Sequence, residues 1–208
     1  MAPRTYNQDR RADSAAATSR RIRVAARALY RERGISGTTT AAIAERADVA
    51  RGTILHHFGS ADGLLEAVLD DITTELEWPD ERIHDGADSE QERIRRYVDS
   101  MFRFFVRSEA DWPAMARDLD HPILQKRAGE YYAAAARFYE VTFLDLAADR
   151  VVAAAARAYV NYGPLYDLRA AGLSLEESVE VVGSSLIELA RQRRSLAGSS
   201  QPEPGREV

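Results

Sequence analysis

The sequence contains no cysteine. That excludes a disulfide framework, a thiolate metal site and a thiol nucleophile. Lysine is almost as scarce: of the 28 basic residues only Lys126 is lysine, and the others are arginine. No apolar run approaches the roughly 18 residues of a membrane-spanning helix, so a span is not expected. The opening stretch MAPRTYNQDRRADSAAATSRR has no apolar centre of the kind a secretory signal needs, and a cytoplasmic protein is the simplest expectation. H-E-x-x-H, G-x-S-x-G and a phosphate-cradling glycine loop are all missing. Carboxylates abound, but in solvated helical runs such as Glu176-Glu177. His56 and His57 are helical neighbours that project about 100° apart and so cannot easily share an ion; His84 and His121 stand alone. These absences predict a protein that is not an enzyme and holds no cofactor and no metal.

What is present is a core-forming chain with an uneven charge. Apolar residues make up 45% of the 208, enough for one large or two smaller domains. Residues 1–58 carry eleven arginines and five acids, a balance of +6, so the remainder is at −11 for a net −5. Such a split describes a head that attracts polyanions on an acidic body.

Periodicity predicts an all-α chain of about nine helices. Residues 1–17 are polar, charged and alanine-rich, and their composition predicts a disordered basic arm. A helix is expected from Thr18 or Ser19 to Gly34, with Ile22, Ala25, Ala26, Leu29 and Tyr30 inward. After the segment described next, Gly59-Ser60 breaks the chain and Ser60 caps a helix over Ala61–Trp78, whose stripe is Leu64, Leu65, Val68, Leu69, Ile72 and Leu76. Residues 79–88 form an acidic loop. Ser89 with Glu92 is a capping-box pattern opening a helix to about Ser108. A short helix over Trp112–Leu119 follows, then a long one from Pro122 to about Leu146. Another runs from Asp149 to Ala171, kinked near Gly163-Pro164. Ser174 with Glu177 opens a last helix to about Leu196, and the tail from Ala197 is expected to be disordered. The domains expected are the arm 1–17, a head 18–60, a body 61–196 whose first helix 61–78 connects to the head, and the tail 197–208.

The segment Thr38–Phe58, TTTAAIAERADVARGTILHHF, is the most informative. Thr38 to Thr40 offer hydroxyl caps, and Ile43, Ala44 and Ala47 form a small apolar face. Asp48 stands where the chain must turn, tolerating the left-handed backbone, and Val49 follows as a plug. The next helix, about Ala50–Phe58, turns Ile54 and Phe58 inward and leaves Arg51, Gly52, Thr53, Leu55, His56 and His57 nearer the surface. A helix-turn-helix places the start of its second helix against base edges in the major groove, where Arg51, Gly52 and Thr53 lie. The bidentate guanidinium of Arg51 suits guanine, Thr53 can hydrogen-bond a base or meet a thymine methyl, and Gly52 lets the backbone approach closely. Thr39 and Ser60 are caps that also suit phosphate contact.

This head resembles the DNA-binding domain of the tetracycline-repressor (TetR) family of bacterial transcriptional regulators. The resemblance is carried by Gly34, Thr38-Thr39, Ile43-Ala44, Ala47, Val49, Arg51-Gly52-Thr53-Ile54, His57-Phe58 and Leu64-Leu65, and is strong over residues 19–70. Three positions depart from the family pattern: Asp48 replaces a turn glycine, Leu55 an aromatic that reaches phosphate, and Ala61 a phosphate-contacting lysine. The resemblance implies a regulator, most simply a repressor, that binds a palindromic operator in double-stranded DNA as a homodimer and is released when a small molecule binds its body. It also implies that His57 contacts phosphate.

Two late helices carry heptad-like stripes that suit a four-helix dimer interface. Of the candidate interface positions, Tyr159 lies on the first; Leu175, Val179, Val182, Leu186 and Leu189 lie on the second. The resemblance puts the effector cavity among the aromatic middle helices, where Phe102, Trp112, Met115, Tyr131, Asn161, Tyr162 and Tyr166 are the candidate lining. Two rivals remain at this stage: an all-α enzyme or ligand carrier with an incidental helix-turn-helix, and an architectural DNA binder with no effector.

Overall fold

Good helix formers fill most stretches between the turn residues, and the backbone follows them. The computed structural model describes residues 4–199, with side chains over residues 11–197. Among these residues there are ten α-helices and no strand. They are α1 (Arg4–Arg33), α2 (Thr40–Arg46), α3 (Arg51–Phe58), α4 (Ala61–Leu76), α5 (Glu90–Ser108), α6 (Trp112–Arg117), α7 (Pro122–Phe143), α8 (Arg150–Tyr159), α9 (Tyr162–Ala170) and α10 (Leu175–Ser199). Short 3-10 turns cover Glu81–His84 and Leu144–Ala148.

The chain divides into two compact units. One holds residues through Glu77 together with Ser108–Gly129; the other holds Trp78–Arg107 and the chain from Glu130 onward. In the first, α1 packs on α2, α3, α4 and α6. Its core is Ile22, Ala25, Ala26 and Leu29 from α1, Ile43 and Ala44 from α2, Ile54 from α3, and Leu64, Leu65, Val68 and Leu69 from α4. Gly34 ends α1 with a left-handed φ of 81° and donates its N–H to the Tyr30 carbonyl at 2.9 Å. A Cβ there would also lie 2.8 Å from Asp118 Oδ2, so glycine is required twice over.

That Asp118 carboxylate belongs to a set of polar ties that hold the Ser108–Gly129 piece to α1. It accepts from the Ile35 N–H at 2.7 Å and from the Ser36 hydroxyl. The Asp111 side chain is almost fully buried and accepts paired hydrogen bonds from both Arg27, at 3.1 and 2.9 Å, and Arg31, at 2.6 and 2.8 Å. Burial alone raises the pKa of such a carboxyl, but the bonds from Arg31 and Arg27 outweigh it and hold Asp111 below the ordinary carboxylate range.

The second unit is built on Ile94, Tyr97, Val98, Met101, Phe102 and Phe105 of α5, Phe138 and Phe143 of α7, Val152 and Ala156 of α8, Leu165 of α9, and Val182, Leu186 and Ala190 of α10. Ser174 and Glu177 form the reciprocal capping box the sequence predicts: the Glu177 N–H donates to Ser174 Oγ at 3.1 Å, and the Ser174 N–H to Glu177 Oε2 at 2.7 Å. At the other pattern, the Glu92 N–H donates to Ser89 Oγ at 3.1 Å, but the Glu92 carboxylate is turned to the Asp88 N–H.

The structure differs from the sequence expectations in five places. α1 begins at Arg4, so over its described part the arm expected to be disordered is helical; Ala15-Ala16-Ala17 and the flanking arginines are strong helix formers. The last helix runs to Ser199, and the expected disordered tail beyond it lies outside the described residues. α4 ends at Leu76 and residues 61–77 fold into the first unit. α7 stops at Phe143, where Leu144 takes a φ of 50°. The helix expected from Asp149 to Ala171 is two helices that part at Val160-Asn161. There the Asn161 side chain caps α9 by accepting from Gly163 N–H at 3.4 Å, and Pro164 falls in the first turn, where its missing N–H costs nothing.

Candidate nucleic-acid interface

The turn between α2 and α3 is made by Asp48, whose φ of 51° is left-handed, as its short polar side chain allows. Val49 is half-buried and its N–H bonds the Ala44 carbonyl at 3.0 Å. The result is two short helices held at a fixed angle over a shared core. Ile54 is fully buried and Phe58 half-buried, which sets the rotation of α3. That rotation turns Arg51, Gly52, Leu55 and His56 outward and leaves Thr53 and His57 half-exposed.

Arg51 opens α3 and makes no ion pair among the described residues. Ala50, the residue before it, supplies no side-chain cap; the Thr53 N–H turns back to the Ala50 carbonyl at 2.9 Å, which leaves the amides of Arg51 and Gly52 without a cap. Around Gly52 the space is clear: no heavy atom lies within 4 Å of where a Cβ would sit. Leu55 is 49% exposed. Thr39 Oγ1 caps α2 by accepting from Ala42 N–H at 3.2 Å, and Ser60 Oγ caps α4 by accepting from Gly63 N–H at 3.0 Å. Both residues are exposed. Each hydroxyl spends a lone pair on its cap and keeps its proton for an outside acceptor. His56 and His57 meet edge to face with ring centroids 5.7 Å apart; no group of His, Asp and Glu suited to a metal occurs among the described residues.

The arginines of the first unit fall into two classes. Arg23 pairs with Asp71, Arg27 with Asp111 and Glu75, Arg31 with Asp111 and Arg46 with Glu32. Arg11, Arg20, Arg21 and Arg51 are exposed and pair with no carboxylate among the described residues. The first class is structural. The second keeps its charge available to an external anion. Asp111, which sorts Arg27 and Arg31 into the first class, is a residue the sequence reasoning missed, because its partners stand more than seventy positions away.

The candidate effector residues separate. Trp112 and Met115 lie in the first unit, and Phe102, Tyr131, Asn161, Tyr162 and Tyr166 in the second. Phe102 is wholly core and Asn161 is the cap of α9. Tyr131 packs edge-on against Trp78 at 5.0 Å and burial pushes its hydroxyl pKa upward. Tyr162 and Tyr166 stack at 6.4 Å, with Tyr166 largely exposed.

The candidate dimer residues also separate. Val182 and Leu186 are buried in their own unit's core, which corrects their reading as interface positions: a 3-4 repeat marks a packed face without saying whose partner it packs. Leu175, Val179 and Leu189 are partly buried against the same core. Tyr159 is exposed, as are Tyr166 and Val181 on α9 and α10.

Comparison with known proteins adds the relationships. Residues 22–68 match the family described as bacterial regulatory proteins, tetR family. Over 64 residues, 31% of this chain, the sequence is 42% identical to the HTH-type transcriptional regulator BetI of Burkholderia thailandensis, and that match spans 32% of BetI's length. Two solved structures share the fold. One is a regulator from Clostridium perfringens, with a TM-score of 0.60 at 16% identity, covering 81% of this chain and 97% of the other. The second is a TetR-like transcriptional regulator from Rhodococcus sp. RHA1, with a TM-score of 0.59 at 18% identity, covering 87% and 96%.

Proposed function

Through its head the chain belongs to the tetR family of bacterial regulatory proteins, and from that premise we propose that it is a DNA-binding transcriptional regulator, acting in the cytoplasm as a homodimeric repressor of a palindromic operator. The observation that carries the reading is the first turn of α3, where Arg51, Gly52 and Thr53 stand beside an uncapped helix start. Arg51 reads a guanine, Thr53 an adjacent base or methyl, and Gly52 allows the approach. Thr39, Ser60, His57 and Leu55 border the base-reading turn, the first three at phosphates. His56 extends the same exposed surface.

Two heads must be held about 34–36 Å apart to enter successive major grooves. The pairing surface is assigned to the outward faces of α8, α9 and α10, through exposed Tyr159, Tyr166 and Val181, with Leu175, Val179 and Leu189 at its margin. The effector site is assigned to the aromatic second unit, near Tyr131, Tyr162 and Tyr166. A small molecule releases DNA only by favouring the DNA-incompetent state, and a preference of about 1–3 kcal/mol is ordinary coupling.

Selection from a random-sequence duplex library by the full-length protein tests this. The expected product is an inverted repeat, and Arg51→Ala should relax one guanine position in each half while costing about 1–3 kcal/mol. Recovery of no preferred duplex would refute the reading.

A further inference from the structure

We propose that the N-terminal turns of α1 form a second DNA-contacting surface, a basic helix face that lies on backbone phosphates outside the half-site occupied by α3. This rests on the reading of the protein as an operator binder, and it concerns a surface that the helix-turn-helix leaves unused.

The argument starts from helix register. Ile22, Ala25, Ala26 and Leu29 form the buried stripe of α1, the stripe that packs on α2, α3 and α4. Tracing it towards the N-terminus, half-buried Thr18 stands four residues before Ile22, and exposed Arg11 seven before Thr18. Both intervals keep a residue on one helical face. Arg4 stands a further heptad back in the sequence. The face that is apolar inside the head therefore carries an exposed arginine, Arg11, nearer the N-terminus. Arg21 flanks that face and is exposed. Asp13, also exposed, falls on the opposite side of the helix, as does Arg20.

Neither Arg11 nor Arg21 has a carboxylate partner among the described residues, whereas Arg23, Arg27 and Arg31, further along the same helix, are all paired. Exposed arginines with no internal carboxylate, on and beside the helix face that continues the stripe packed in the head, are complementary to duplex phosphate. At about 1.5 Å per residue, Arg11 sits roughly 16 Å along the helix from Ile22, eleven residues before the stripe that packs on the other helices of the head. A helix of that width cannot thread a minor groove as an extended arm does, so phosphates are its target. The surface also stands in for the two phosphate-binding side chains replaced by Leu55 and Ala61.

The test uses the full-length protein and duplexes it selects from a random library, either ending at the half-sites or extended by about one helical turn on each side. Wild type should bind the extended duplex more tightly. Arg11→Ala with Arg21→Ala should abolish that gain and lower the slope of log affinity against log salt by about two per protomer. Ala16→Pro, which breaks the helix without removing charge, should do the same. An unchanged slope in the double variant overturns the proposal. So does a proline variant that binds like wild type, since the arm would then act as an extended chain. If wild type selects no duplex, the operator reading itself falls, a result distinct from either of these.

Discussion

An alanine at position 52 would touch nothing in the free protein, and alanine favours a helix over glycine by up to about 1 kcal/mol. The glycine therefore has no steric reason in the fold, and the proposed reason is close approach to the duplex. Gly52→Ala should raise thermal stability while weakening operator binding at least tenfold; a variant both more stable and equally tight would show that the backbone does not approach DNA there. Gly34 is the contrast, since its φ of 81° and the Asp118 oxygen beside it leave no room for a side chain. Both glycines were legible in the sequence, one as a helix stop and one within a motif, because turn chemistry is local. Asp48 was legible for the same reason.

Elements are joined by polar groups that the sequence does not reveal. The α1–α6 joint turns on Asp111, which is 3% exposed. Removing its charge leaves two guanidinium groups facing a neutral amide, and breaking a buried pair costs about 3 kcal/mol or more. Asp111→Asn should therefore lower Tm by roughly 6–12 °C. Because the folded carboxyl titrates below its unfolded value, the charge's contribution is complete above about pH 4 and fades as the pH falls further, so wild type and variant should converge in acid. A gap that does not narrow at all as the pH falls below about 4 would assign the loss to shape, not charge.

A second joint holds the 3-10 turn over Glu81–His84 to α7. His84 Nε2 lies 3.0 Å from Thr142 Oγ1, and the Thr142 hydroxyl donates its only proton to the Phe138 carbonyl at 2.8 Å. His84 must therefore donate from Nε2, leaving Nδ1 as a buried acceptor without a partner. Burial, with Arg93 and Arg96 nearby, lowers the His84 pKa below its ordinary value, against a smaller opposing pull from Asp85. The unfolded chain then binds a proton near pH 6.5 that the fold refuses, so stability falls as pH drops below that value. His84→Gln, which keeps a donor for Thr142, should flatten this fall. Urea midpoints at pH 7.5 and 5.5 measure it, and parallel changes in wild type and variant would remove His84 as the source.

At the scale of the whole molecule the open quantity is pairing. Val182 and Leu186 are spent on the chain's own core, so the pairing surface proposed above rests on exposed Tyr159, Tyr166 and Val181. Val181→Arg should convert a dimer to a monomer in sedimentation and weaken operator binding at least a hundredfold, because a single head loses its tethered twin. A Val181→Arg protein that remains dimeric would move the interface elsewhere. The heptad spacing was readable in the sequence, but which neighbour fills it was not: a buried stripe looks the same whether its partner is the same chain or another.

Local order set the helices. Caps at Thr39, Ser60, Asn161 and Ser174, the left-handed turn at Asp48 and the 3.6-residue apolar stripes need only neighbours along the chain, and the sequence alone determined the helix-turn-helix and the surface position of Arg51. Asn161 shows that even a misplaced boundary had its signal, a cap three residues before Pro164. Tertiary structure alone decided which charges are consumed within the protein and which remain unpaired. Arg27, Arg31 and Arg21 are the same residue type within a few turns of one helix, and the carboxylates folded against that helix, Asp111 on both and Glu75 on Arg27, separate the first two from the third. Such pairing depends on groups brought together across a long loop of chain, and no local pattern records it.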